Sequence, residues 1–544
     1  MERQSQPGKA SRREIRSIDN QHQLNQLHKV MICGLVVALV SLSCAIGVLD
    51  QNDPLFNAPN GQLWTPTPSL IFPTDRAHPI DTSDPVNQET LQSSTQIPTP
   101  ESVPIDTAPL LYYTQAGDTL PVVAIRFGVK VDDITPPNGD LPTTGLLTPN
   151  TLLIIPHMLV NTTSPKKILP DSELVYSPSA IDFDVEAYVQ QAGGYLARYK
   201  EWLGSTQWTT GAGIVSRIAT ENSINPRLLL ALIEFQSGWV FGNPSNPKQE
   251  DYPLGKVDLS LKGLYSQLAW AVNQLSIGYY GWREGWVTEI QLSDGISARL
   301  APDLNSGTVA IQYFFAQLYD TPGWLGAIDP NTGFGAKFNT MFGNPWIRAM
   351  EVEPLYPPNL SQPTMILPFL IGQIWSFTGG PHGAWERDGA RAAIDFAPGS
   401  TESGCVKSNA WAVASAPGLI IRAESGVVVE DLDGDGKEQT GWDILYLHLN
   451  DLQVKAGDWV ETADFLGHPS CEGGIATGTH VHIARKYNGD WISADGPLPM
   501  VLSGWTVHAG NVPYEGTMTK GDDIIYSSVY GSVESLIART RDNP

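Results

Sequence analysis

The sequence predicts a multidomain chain: a single N-terminal transmembrane helix, a small α+β module of βααβ order, an all-α middle domain and a mostly antiparallel, all-β C-terminal domain. Three observations carry this. Val30 to Leu49 is a twenty-residue stretch without a charge, the length of one helical crossing of a bilayer. Residues from about 183 to 350 repeat apolar positions at helical spacing, with abundant Trp and Tyr. The last third is Gly-rich and strand-like and holds six of the ten histidines. At 544 residues the chain has material for about three or four domains. The expected division is 1–29, 30–49, 50–110, 111–157, 158–182, 183–355, 356–515 and a C-terminal extension 516–544.

Before the apolar stretch lie Arg3, Lys9, Arg12, Arg13, Arg16 and Lys29, and after it the flank is acidic. The excess of basic residues on one side puts the N-terminus in the cytoplasm and everything after Asp50 outside, in the cell wall or periplasm. A cleaved signal peptide or a lipid on Cys44 is the rival reading. The long leading region, and the absence of a small-x-small cleavage site or a good lipobox, favour a retained anchor. Gln51 to Leu110 contains eleven prolines among many Ser and Thr and few aliphatic clusters, the composition of a linker. A net charge of −24, with no Lys/Arg cluster beyond the first thirty residues, excludes a phosphate-binding surface and so a nucleic-acid partner.

Leu111 to Pro156 reads as strand, turn, short helix, glycine stop and second strand. Tyr113-Thr114-x-x-Gly117-Asp118-Thr119-Leu120 opens it, with Asp118 as expected N-cap, and Gly128 as expected C-cap. The run Leu152-Leu153-Ile154-Ile155 supplies the second strand. This pattern resembles a LysM domain, a βααβ module that binds N-acetylglucosamine-containing glycans, which implies sugar contacts around Gly117, Asp118 and Thr119. Pro136-Pro137 departs from the pattern by cutting short the second helix.

In the helical region Asn225-Pro226 is an N-cap followed by proline at the first helical position, leading into Leu228 to Ile233 and Glu234-Phe235-Gln236-Ser237. The run resembles the catalytic helix of lytic transglycosylases and suggests a lysozyme-like scaffold. Gln236 stands where the acid of that family would be and cannot donate a proton, so glycan cleavage through Glu234 is the lesser reading.

The C-terminal chemistry is concentrated in His382, Asp395, His448, His480 and His482. In a strand, residues i and i+2 face the same way, so His480-Val481-His482 can aim two imidazoles at one point. Asp395 lies between Ile394 and Phe396, where a carboxylate is costly to bury unless paired or ligated. Gly379-Gly380-Pro381-His382-Gly383 reads as a turn and Leu445 to Leu449 as an alternating strand. Imidazole and carboxylate form a usual zinc set, with an open position for water.

Residues 370 to 510 resemble a zinc endopeptidase of the M23 family, the lysostaphin-like enzymes that cut peptidoglycan cross-links, and specifically its β-lytic branch. In the commoner branch the first histidine stands four residues before the aspartate, where this chain has Arg391. In the β-lytic branch the ligand comes from an upstream Gly-Gly-x-His-Gly turn, as His382 does, thirteen residues before Asp395. Tyr446-Leu447-His448 and Gly478-Thr479-His480-Val481-His482 match the remaining motifs. The resemblance implies an all-β peptidase that binds zinc through His382, Asp395 and His482 and uses His448 and His480 catalytically. We favour His480 as base and His448 as oxyanion partner, with the exchange left open. Inactive relatives that bind the wall or activate other hydrolases form the alternative class, although none of the five residues is substituted here.

Two features lie outside that set. Cys405 and Cys471 fall in the extracytoplasmic part, where disulfides persist, and are expected to pair; Cys33 and Cys44 lie in the apolar stretch. Asp431-x-Asp433-Gly434-Asp435-Gly436 has the first half of a calcium loop, but Trp442 replaces the closing glutamate, so an acidic hairpin competes with a calcium site at Asp431, Asp433 and Asp435.

Overall fold

The computed structural model describes residues 108–541, with the exception of 386. The expected membrane span at Val30 to Leu49 and the proline-rich linker before residue 108 lie outside the described residues. Among those described, no helix is long and apolar enough to cross a membrane.

The first module pairs Leu110–Tyr113 with Leu152–Ile155, antiparallel, under the helix Leu120–Phe127. Its core is built from Tyr112, Leu120, Val123, Phe127, Leu147 and Leu153. Gly128, in the left-handed region at φ 66°, ends the helix as expected. The N-cap is Thr119 rather than Asp118, its hydroxyl accepting from the Val122 amide. The second helix is reduced to one 3-10 turn, Val131–Asp133, because prolines 136 and 137 follow it without N–H groups to donate.

The middle region is helical, from Val185–Ala192 to Pro345–Val352, around the 21-residue helix Leu264–Glu284. Asn225 caps Pro226–Ser237 through the Arg227 amide at 3.0 Å, with Pro226 at the first position. The region is not purely α. Two hairpins interrupt it, Lys200–Leu203 with Gln207–Thr210 and Glu289–Gln291 with Ser297–Arg299. The first is held by the facing pair Trp202 and Trp208, a short-range signal that helical periodicity obscures.

The C-terminal part is a nine-stranded antiparallel sheet. Its path runs Trp459–Val460, Gly418–Glu424, Val427–Asp431, Trp442–Leu447, Val481–Tyr487, Ala393–Pro398, Ile374–His382 and Leu536–Ala538, and Asp490–Trp491 pairs with Val481–Tyr487. Of the segment 516–544, expected to be an extension, the described residues 516–541 belong to this fold. Gly516–Lys520 and Asp523–Tyr526 complete a four-stranded sheet with Val501–Leu502 and Trp505–Ala509, and Leu536–Ala538 closes the edge of the main sheet.

Strand alternation makes one molecule of the helices and the sheet. Val427, Val429, Leu445, Leu447 and Ala484 point to one face and share a core with the helices, including Leu228, Leu268 and Leu275. Val428, Ile444, Tyr446, Ile483 and Phe396 fill the core on the opposite face. The boundary expected at 355/356 therefore divides the sequence but not the core. Arg283, at the end of the long helix, seals the junction. Its guanidinium pairs with the buried Asp490, which also accepts hydrogen bonds from the hydroxyls of Tyr279, Tyr280 and Tyr356 at 3.0, 3.0 and 2.9 Å.

Candidate active site

Three neighbouring strands deliver the expected ligand residues. His382 ends Ile374–His382, Asp395 lies inside Ala393–Pro398, and His482 lies inside Val481–Tyr487, with Asp395 directly opposite both His482 and Gly379 in the ladders. His382 is thus on a strand end and not in a free turn: irregular pairing at Gly379 and again before His382 lets the strand bend while still reaching Ala393. The two glycines are sterically required there. A Cβ on Gly379 would collide with the Asp395 carboxylate, and one on Gly380 with the backbone of Glu515.

The ligand atoms converge. His382 Nε2 is 3.1 Å from His482 Nδ1 and 3.4 Å from Asp395 Oδ1, and His482 Nδ1 is 3.2 Å from Asp395 Oδ1. Tetrahedral zinc with bonds of about 2.0–2.1 Å needs ligand atoms roughly 3.3 Å apart. Asp395 Oδ1 is buried without a hydrogen-bond partner, as an atom reserved for a metal would be. The outer nitrogens are held as zinc chemistry requires: His382 Nδ1–H donates to the Gly380 carbonyl at 2.8 Å and His482 Nε2–H to the Ala384 carbonyl at 2.9 Å. The residues fit the ion.

His448 and His480 stand beside this trio with ring centroids 4.4 Å apart. His480 Nε2 lies 3.7 Å from Asp395 Oδ1. Each donates its Nδ1–H to a carbonyl, His448 to Glu472 at 2.8 Å and His480 to Gly478 at 2.7 Å, which leaves Nε2 as the free, proton-accepting nitrogen of the neutral ring. Burial, reinforced by the charges of His480 and His482, pushes His448 down to about 3. His448 sits at φ 65° between two strands, a left-handed geometry that turns its ring toward the site. Burial likewise lowers His482, whereas in His382 the Asp395 carboxylate outweighs burial and raises it.

Cys405 and Cys471 are joined by a disulfide, Cα atoms 5.8 Å apart, across 66 residues of chain. It ties the segment before Thr479 to the loop after Gly404, where the Thr479 hydroxyl donates to the Val406 carbonyl at 2.6 Å. Sequence reasoning missed Tyr514, whose ring stacks on His382 at 4.1 Å. It also missed the four carbonyl partners of the histidines, because any residue type offers a carbonyl and no residue identity marks it.

The remaining candidates do not join this site. Asp118 is buried, paired with Arg126 at 2.7 Å and accepting from the Tyr112 hydroxyl at 2.6 Å, while Gly117 packs against the Arg283 guanidinium. Together with the capping role of Thr119, this gives all three residues of the expected sugar contact a structural task. Glu234 accepts from the Val240 and Phe241 amides, both at 3.1 Å, and Gln236 from the Tyr319 hydroxyl.

The fold and these five side chains agree with what the chain resembles. Residues 167–358 match the family described as LasA, N-terminal domain, which covers the stretch whose pattern suggested a lysozyme-like scaffold. With the site that follows it, this supports a peptidase of the M23 type, a metallopeptidase by class. Protease LasA of Pseudomonas aeruginosa is 27% identical over 350 residues, 60% of this chain and 75% of the relative. Among solved structures, the M23 metalloprotease pseudoalterin from the deep sea is 25% identical and covers 31% of this chain and 96% of its own, with a TM-score of 0.27. The catalytic domain of lysostaphin from Staphylococcus simulans is 20% identical over 22% of this chain and 87% of its own, at a TM-score of 0.16. None of these comparisons speaks for calcium.

Proposed function

We propose that the chain is a zinc-dependent endopeptidase that hydrolyses peptide bonds of peptidoglycan in cell-wall remodelling, held outside the cell by an N-terminal membrane anchor and directed to glycan by the 111–157 module. The convergence of His382 Nε2, Asp395 Oδ1 and His482 Nδ1 within 3.4 Å of one another, beside two acceptor imidazoles, carries the reading. When bound, zinc supplies Lewis-acid polarisation of a carbonyl and a lowered pKa for water. His480, the nearer of the two imidazoles to Asp395, takes a proton at Nε2, and its Nδ1–H bond to Gly478 keeps the ring oriented while it does so. His448 faces it across 4.4 Å and is placed beside a developing oxyanion. The burial of all three ligands keeps bulk water from competing with a carbonyl for that charge.

The substrate rests on the motifs that resemble the lysostaphin-like family, and the β-lytic arrangement of His382 points to glycine-containing cross-links. Digestion of purified peptidoglycan with and without a chelator, followed by mass identification of the fragments, tests it. Chelator-sensitive release of peptides is expected. Products cut in the glycan instead would move the activity to the helical region and Glu234. Unaltered peptidoglycan, with binding indifferent to His480→Ala, would make the chain a non-catalytic wall binder.

A further inference from the structure

The loop between strands Val427–Asp431 and Trp442–Leu447 has no role in the peptidase chemistry, yet it gathers more carboxylates than its neighbours neutralise. Ligand oxygens of Asp431, Asp433 and Asp435 lie within 4.8 Å of one another. Asp431 is wrapped by its own loop, Oδ1 accepting from the Asp433 and Gly434 amides and Oδ2 from Gly436. Such bonds by themselves describe only an acidic turn.

Asp443 is the independent observation. Its side chain is fully buried at 0% exposure, and neither carboxylate oxygen has a hydrogen-bond partner. Asp443 stands directly opposite Asp431 in the antiparallel ladder, so the two carboxylates project from the same face of the sheet. It comes one residue after Trp442, which occupies the place where a calcium loop has its closing acid. The nearby cations are engaged elsewhere: Lys486 donates to Glu438 at 2.6 Å and Arg422 pairs with the same carboxylate. A buried, unpartnered carboxylate facing other carboxylates must hold a proton or face a cation.

We infer that Asp431, Asp433 and Asp435, closed from the adjacent strand by Asp443, form a calcium site. The donors are all oxygen, which selects a hard cation and excludes the soft-ligand metals, and their spread along an irregular loop suits calcium's loose geometry better than magnesium's strict octahedron. The strand leaving this loop leads through Leu447 to His448, so the ion would pin the start of the element that presents a catalytic imidazole.

The test uses the full zinc-loaded chain. Calcium titrated calorimetrically should bind one ion per chain, with a Kd in the range of about 10⁻⁴ to 10⁻³ M typical of extracellular sites. Terbium should bind in its place and luminesce on Trp excitation, since the Trp459 ring lies against Gly434 and Trp442 adjoins Asp443. Asp443→Asn should weaken calcium at least tenfold and abolish the rise in Tm on adding calcium, while the calcium-free variant melts no lower than the calcium-free parent. Asp435→Asn, at an exposed position where misfolding is not at issue, should weaken calcium likewise. A flat isotherm up to about 10 mM, an order above the weakest such sites, would overturn the inference. So would calcium affinity unchanged in both variants.

Discussion

Asp395 and His482 answer each other across one ladder position, and the two imidazoles of the His480-Val481-His482 run are separated by function although only two residues apart. His482→Ala should therefore remove stoichiometric zinc together with turnover. His480→Ala should keep the zinc and lower kcat by about 10² to 10⁴, the scale of a lost proton acceptor. Metal analysis beside kinetics reads both, and zinc loss in the second variant would make His480 a ligand. A second residue-scale prediction concerns Glu430, a fully buried carboxyl that accepts from the Tyr446 hydroxyl at 2.8 Å and that burial pushes up to about 8. Because its folded pKa lies above that of the unfolded chain, unfolding between pH 4.5 and 8 releases a proton. The contribution is full below 4.5 and is lost as pH rises toward 8, at up to about 1.4 kcal/mol per unit. Denaturation midpoints of Glu430→Gln against the parent across that range should show a shallower decline, and parallel curves would refute it.

At the scale of elements, the disulfide braces two loops that carry no regular structure of their own and that frame His480. Reduction, or the pair Cys405→Ala and Cys471→Ala, should cost about 4 kcal/mol by the chain-entropy argument for a 66-residue separation. It should also raise KM, because the Thr479 contacts with Gly404 and Val406 lose their clamp. Thermal melting and steady-state kinetics under reducing conditions test the two effects separately. Element geometry also accounts for the differences from expectation. The module's second helix shortens to a 3-10 turn before two prolines, and the tail from 516 onward becomes strands because it finds unpaired edges to join.

For the whole molecule, the decisive feature is that the helices cover one face of the sheet with a shared core. Trp fluorescence and far-ultraviolet dichroism should report a single coincident unfolding transition for the helical and sheet parts, and two separated transitions would contradict it. Arg283→Met removes the cation from the junction while leaving Asp490 buried and should cost about 3 kcal/mol, measured by denaturant unfolding.

The five residues of the site were legible because chemistry restricts residue type. Few side chains other than His, Asp, Glu and Cys hold zinc, and H-x-H in a strand fixes two of them on one face. The pairing of Cys405 with Cys471 was legible for a similar reason, since only two candidates remained outside the apolar stretch. What the chain's order of residues could not express is contact between distant segments: the ring of Tyr514 on His382, the carbonyls that orient four imidazoles, the burial of Asp118 against Arg126, and Asp443 standing opposite Asp431. Those depend on sheet register and layer packing, which arise from the sum of many weak apolar contacts, and no single residue announces them.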